Sequence, residues 1–315
     1  MGTIIPILFQ GAIPIFSDLT EDTYTLDPTD LKRKITEKTR AIVPVHLFGM
    51  PTDMDPIMEV AEEKSIFVVE DCAQAYLAEY KGKLVGTIGD IGAFSLQQSK
   101  HMSTGDGGMT ITNNEELADY ARLFADKGWD RAKGRKYVML GMNYRMTELQ
   151  GAVGLAQLKK VKWVVERRRE LAERLNNQLE DLSDILHLPI PPKHVKHSYW
   201  QYPVLVNAEK LGITPLDFSN ALAAEGIPNN VGYIGEPLYL KTPLVDKKTF
   251  RHSSFPLDNP YNKDWGDYSK GLCPTTEKII EKIIVIPWNE NYTYDDVDDI
   301  GEAIRKIVDY YLSHR

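Results

Sequence analysis

The sequence predicts an α/β fold: a mostly parallel central sheet flanked by helices, followed by a smaller C-terminal α/β domain. Short apolar runs alternate with amphipathic stretches, which implies parallel strands joined by right-handed helical crossovers. A long helical stretch runs from Thr147 to about Leu182. The break Pro189-Ile190-Pro191-Pro192 then divides a large domain, 1–188, from a small one, 189–315.

Ile13 to Phe16 reads as a short strand ending at Asp18. Asp27-Pro28 opens a helix across Leu31 to Ile35, an acidic cap before proline at the first helical position. Ala41 to Phe48 is an apolar strand in which Pro44 favours an edge or a bend. Asp53 to Lys64 is helical, with Ile57, Met58, Val60 and Ala61 on one side, and Ile66 to Val69 is the next strand. Ile91 to Leu96 and Met109 to Thr112 are strands, and Glu115 to Lys127 is a helix. In the long helix Leu149, Val153, Ala156, Leu158 and Val161 recur at helical spacing, and Arg167-Arg168-Arg169 is expected on its solvated face. The smaller domain has strands at Tyr202 to Val206 and Ile283 to Ile286, and helices near Leu216 to Glu225 and Asp295 to Leu312. Tyr233 to Lys270 is turn-rich and reads as an irregular excursion facing substrate.

The chain has 315 residues, 43% hydrophobic and 26% charged, enough for a sizeable core in a globular protein. A net charge of -8 argues against nucleic acid or an anionic membrane as partner. No apolar run approaches the roughly 20 residues of a membrane span, and the start lacks a basic n-region. Cys72 and Cys273 are the only cysteines and show no metal-ligand spacing, so no metal site is expected and a cytoplasmic location fits.

The chemistry centres on Lys100. It follows a strand, lies near Ser95 and Ser99, and precedes Gly105-Asp106-Gly107-Gly108. Upstream, the run Ile66-Phe67-Val68-Val69 ends in Glu70-Asp71. A lysine in a glycine-framed loop and an acid at a strand end suit pyridoxal 5'-phosphate (PLP). The amine bonds the cofactor aldehyde, and the carboxylate keeps the ring nitrogen protonated. Gln74 is positioned to reach the phenolic oxygen and Ser95 the phosphate, while Gly105, Gly107 and Gly108 serve a tight turn. Trp200 and Trp288 read as core or interface aromatics, His194 and His197 as solvated loop residues, and His46 as a packed, hydrogen-bonded one.

In order along the chain stand Gly11-Ala12-Ile13-Pro14-Ile15-Phe16, Val45-His46-Leu47-Phe48-Gly49, Glu70-Asp71-Cys72-Ala73-Gln74-Ala75, Gly89-Asp90-Ile91-Gly92-Ala93-Phe94-Ser95, Lys100, Gly105-Asp106-Gly107-Gly108 and Gly141-Met142-Asn143-Tyr144-Arg145-Met146. This ordered set resembles the DegT/DnrJ/EryC1/StrS sugar aminotransferases. The resemblance implies a fold-type I PLP enzyme that moves an amino group from glutamate or glutamine onto a keto-sugar, often nucleotide-linked, or a keto-cyclitol. By the same resemblance Lys100 is the Schiff-base lysine, Asp71 meets the pyridine nitrogen, Gln74 lies near the phenolic oxygen and Ser95 touches the phosphate. Asn143 reaches the phosphate of a neighbouring subunit, so the active site is shared across a homodimer. Arg145 is a candidate for the donor's carboxylate. A dehydrating branch of the family carries histidine in place of the lysine; here Lys100 holds that position and His101 follows it, which favours transamination.

Family members carry a further segment before the Gly-Ala-x-Pro run, with a phosphate-binding turn and an aromatic that stacks on the ring. The chain is therefore expected to lack that portion and to retain PLP weakly. The alternatives are a non-catalytic relic that binds a sugar nucleotide or a partner subunit, and another PLP reaction such as racemisation or elimination.

Overall fold

The structure, a computed structural model, describes residues 1–134, 136–259 and 268–314. The chain groups into two compact units, each discontinuous in sequence: Thr39–Arg169 with Pro192–Trp200, and Met1–Lys38 with Glu170–Pro191 and Gln201–Arg315. The sequence reading divides the chain once, after residue 188. Contacts instead gather the first 38 residues with the C-terminal part. Ile4 and Leu8 share a core cluster with Tyr239, Leu244, Leu257, Tyr268 and Cys273, and the Asp18 carboxylate accepts the Thr275 and Thr276 N–H groups.

The first unit is built on a four-stranded sheet: β1 (Ala41–Ile42), β2 (Phe67–Asp71), β3 (Ile91–Ser95) and β4 (Gly108–Ile111), in that order. β1, β2 and β3 run parallel, and β4 returns antiparallel to β3. β1 is much shorter than the expected Ala41 to Phe48 because Pro44 has no N–H to give a ladder. Beyond it only Val45 bridges to Asp71, and the chain turns at Leu47–Gly49. Helix α1 (Met54–Lys64) buries Met54, Ile57, Val60 and Ala61. Helix α2 (Glu115–Ala125) is capped by Asn114, whose side chain accepts the Leu117 N–H at 3.1 Å. Helix α3 (Glu148–Leu179) carries the chain into the second unit.

The second unit holds an antiparallel sheet of β5 (Leu186–His187), β6 (Gln201–Val206), β7 (Asn230–Val231) and β8 (Ile283–Pro287), in the order β7-β8-β6-β5. Its longer helices include α4 (Pro215–Ala224), α5 (Pro274–Lys282) and α6 (Tyr294–Ser313), the last opened by a capping box of Thr293 and Asp296. The Asp27 cap and the Pro28–Lys34 helix are found as expected. Ile13 to Phe16 forms no strand: Pro14 O accepts the Tyr268 hydroxyl and Phe16 O accepts Lys34 Nζ, both at 2.7 Å, so side chains satisfy the groups that a ladder would use. Of the Tyr233 to Lys270 excursion, residues 260–267 lie outside the described residues. Its described part holds the short helix Thr242–Val245 and a turn at Leu238–Leu240. Trp288 is buried core, tilted against Tyr202.

Candidate active site

Parallel strands fix a face. Asp71 pairs in register with Ala93, and Ser95 lies two residues further along β3, so Asp71, Ala93 and Ser95 share one side of the sheet at its carboxyl end. Glu70, paired with Gly92, points to the other side. The crevice outside the carboxyl ends of parallel strands is where open α/β sheets bind ligands. Ala93, between Asp71 and Ser95, presents only a methyl to that face.

Glu70 is the anchor behind Asp71. Its Oε1 accepts the Ile88 and Gly89 N–H groups at 2.8 and 2.7 Å, and its Oε2 accepts the Gly86 N–H at 2.7 Å. His46 Nε2 lies 3.1 Å from the same Oε2, and His46 Nδ1 accepts the Thr52 N–H at 3.0 Å, which assigns the proton to Nε2. His46 is thus the packed, hydrogen-bonded residue expected, and these bonds hold the Glu70 carboxylate below the usual range despite its burial. His46, Glu70 and Cys72 bring potential ligand atoms within 4.8 Å of one another, but the bonds above engage both carboxylate oxygens and both ring nitrogens. Burial pushes the Cys72 thiol up.

Asp71 Oδ1 accepts the Ala73 N–H at 3.0 Å, which orients the carboxylate at the strand end. Gln74 Oε1 accepts the Phe48 N–H at 2.7 Å. Ser95 Oγ accepts the Gln97 N–H at 3.3 Å, and Ser95 O accepts the Tyr76 hydroxyl at 3.0 Å. Lys100 is half-buried: burial lowers its ammonium below the ordinary lysine range, and the Asp71 carboxylate partly counters this. Lys100 and Asp71 lie in the same compact unit. A positive φ at Gly105 and at Gly107 returns the chain from the lysine loop to β4.

The segment 197–200 completes the surroundings of Lys100. Its Nζ stands 4.1 Å from the Trp200 ring centroid, and the indole N–H donates to Ser99 O at 2.7 Å. His101 Nε2 donates to Ser198 O at 2.8 Å, and His197 Nδ1 accepts the Tyr199 N–H at 2.7 Å. Both rings are buried and kept neutral. Burial, then the Arg168 charge, pushes His101 down to about 3; burial, then Arg169, pushes His197 well down. His197 is not the solvated residue expected. Nor do Arg168 and Arg169 line a solvated face. Arg168 is buried and donates to Tyr199 O and Trp200 O at 3.3 and 3.1 Å, and Arg169 donates to His197 O and Leu77 O at 2.7 and 2.6 Å. The sequence shows a basic triplet but not the carbonyls that receive Arg168 and Arg169, which come from other parts of the chain.

Asn143 is exposed, its main chain bridges to Asp126, and no hydrogen bond joins its side chain to the other four candidates among the described residues. Arg145 Nη1 pairs with Asp126 Oδ1 at 2.5 Å.

The residues fit PLP. A half-buried amine with a lowered proton affinity, an acid oriented at a strand end and a hydroxyl on the acid's side of the sheet match the aldehyde, ring nitrogen and phosphate of that cofactor.

A model of the DegT/DnrJ/EryC1/StrS aminotransferase family matches residues 1–305. GDP-perosamine synthase of Escherichia coli O157:H7 is 40% identical over 207 residues, 65% of this chain and 56% of that enzyme. UDP-N-acetyl-3-dehydro-alpha-D-glucosamine 3-aminotransferase of Acidithiobacillus ferrooxidans is 30% identical over 308 residues, 97% of this chain and 74% of that enzyme. The X-ray structure of the aminotransferase from Psychrobacter cryohalolentis superposes with a TM-score of 0.85 at 28% identity, covering 99% of this chain and 79% of the other.

Proposed function

The chain belongs to the DegT/DnrJ/EryC1/StrS aminotransferase family, and we propose that it transfers an amino group from glutamate or glutamine to a keto-sugar, often nucleotide-linked, or a keto-cyclitol, with PLP as cofactor. The observation that carries this is the placement of Asp71 and Ser95 on one side of the sheet, at the carboxyl ends of two adjacent parallel strands, with the half-buried Lys100 in the loop that follows. Bound PLP supplies an electron sink that stabilises negative charge at the carbon bearing the amino group. Lys100 would hold the cofactor's aldehyde carbon, and its Nζ would carry a proton to and from the substrate carbon. Asp71 would keep the ring nitrogen protonated, Gln74 would meet the phenolic oxygen and Ser95 would hold the phosphate. The lowered proton affinity of Lys100 leaves more free amine near neutrality than an ordinary lysine has. The comparisons favour this reading over a non-catalytic relic.

The protein acts as a homodimer, in which Asn143 reaches the partner's phosphate site. Exposed apolar side chains at Leu140, Leu149, Leu155 and Leu158 support this, because so much exposed apolar surface marks an interface. A cytoplasmic location is supported by two buried free cysteines, and among the described residues no helix is long and apolar enough to cross a membrane.

The test is direct. The wild-type chain incubated with PLP and reduced with borohydride carries a pyridoxyl mark on the peptide containing Lys100, and Lys100→Ala has neither mark nor turnover. A mark on another lysine, or near-normal transamination by Lys100→Ala, ends the assignment.

A further inference from the structure

Among the described residues Lys100 Nζ has no hydrogen-bonded or ion-paired partner. Its charge meets the face of Trp200 at 4.1 Å and the field of Asp71. Trp200 is itself fixed on three sides: its N–H donates to Phe48 O at 2.7 Å, its carbonyl accepts Arg168 Nη1 at 3.1 Å, and its indole N–H donates to Ser99 O at 2.7 Å. The residue on the other side of the lysine, His101, is tied to Ser198 O. The loop is therefore gripped on both flanks of Lys100 by one short segment.

Resting on the assignment of Lys100 as the reactive amine, we infer that Trp200 is a positioning residue for it: the indole face steadies the ammonium, and the indole N–H pins the loop that carries it. An amine that must be neutral to attack and charged to give up a proton needs both states accessible in a half-buried place. An aromatic face suits that task, because it attracts the cation through its quadrupole yet forms no hydrogen bond that the neutral amine must break. The titratable and charged groups around the amine are Asp71 at the end of β2, His101 in its own loop, and Arg168 and Arg169 on α3, which act on His101. None of these side chains is removed when Trp200 is changed.

Two variants separate face from N–H. Trp200→Leu keeps apolar cover but removes both, whereas Trp200→Phe keeps a face and removes only the N–H. The full chain, treated with hydroxylamine and dialysed, is labelled with trace acetic anhydride from roughly pH 6 to 11, and acetylation of the Lys100 peptide is read by mass spectrometry. The midpoint in Trp200→Leu is expected to fall by roughly half to one pH unit, and in Trp200→Phe by less than half as much. Midpoints in both variants equal to wild type, or equal shifts in both, overturn the inference. This labelling needs no bound PLP. Failure of the borohydride mark on wild-type Lys100 would thus remove the enzymatic assignment, while the acetylation profile still decides what Trp200 does to the amine.

Discussion

Gly86 shows how little slack surrounds the candidate site. Its φ is 87°, and an added Cβ would lie 2.6 Å from the Phe94 ring and 3.1 Å from Cys72 Sγ. Its N–H also donates to Glu70, the residue before Asp71. Gly86→Ala therefore combines left-handed strain with overpacking against a rigid ring and should cost about 2–4 kcal/mol of stability. Urea unfolding checks this, and a midpoint unchanged from wild type would mean that Phe94 and the turn can yield. Such crowding is invisible in the sequence, where Gly86 is one more glycine in a loop. By contrast, the candidates Asp71, Gln74, Ser95 and Lys100 could be proposed from the sequence because each sits at a strand end or in a short loop whose neighbours are local. Trp200, Arg168 and His197 were missed because the Lys100 loop and the main-chain carbonyls that give them meaning are up to about a hundred positions away in the chain.

At the level of elements, the helices were read closely because cap residues and periodicity are local signals: the Asp27 cap, and the Asp53–Lys64 and Glu115–Lys127 stretches, reappear within a residue or two. Strands were less secure, since a strand needs a partner that its own residues do not specify. Ile13 to Phe16 lacks one and is satisfied by side chains instead. The lysine loop and the 197–200 segment form a joint whose stability should depend on pH. His101 and His197 are buried and neutral in the fold but accept protons near pH 6.5 once unfolded. Their folded-state proton affinity is depressed, so as pH falls the unfolded chain binds protons that the native joint refuses. Their contribution is complete above about pH 6.5 and is lost progressively below it, down to about 3 for His101. Denaturant midpoints measured at successive pH values should fall on going from neutrality towards pH 5, and less steeply in His101→Gln. Equal slopes in the two proteins would show that His101 is not the group that resists protonation.

For the whole molecule, the decisive question is whether one chain makes a complete site. Lys100, Asp71, Gln74 and Ser95 lie in one unit of one chain, while Asn143 stands exposed between Leu140, 94% exposed, and Leu149, 81% exposed. An exposed amide side chain in a segment rich in exposed apolar groups suits a residue that crosses to a second copy. Two inactive variants make this measurable. Lys100→Ala lacks the amine, and Asn143→Asp sets a carboxylate against the partner's phosphate. If each site draws Lys100 from one chain and Asn143 from the other, a mixed dimer holds one doubly damaged site and one intact site. Unfolding and refolding an equal mixture should then restore about a quarter of wild-type turnover, because about half the dimers are mixed and each has one working site. If both residues served the same chain's site, every site in the mixture would keep one lesion. The mixture would then stay as inactive as its parents, even with dimers seen by size-exclusion chromatography, and the shared-site proposal would be lost.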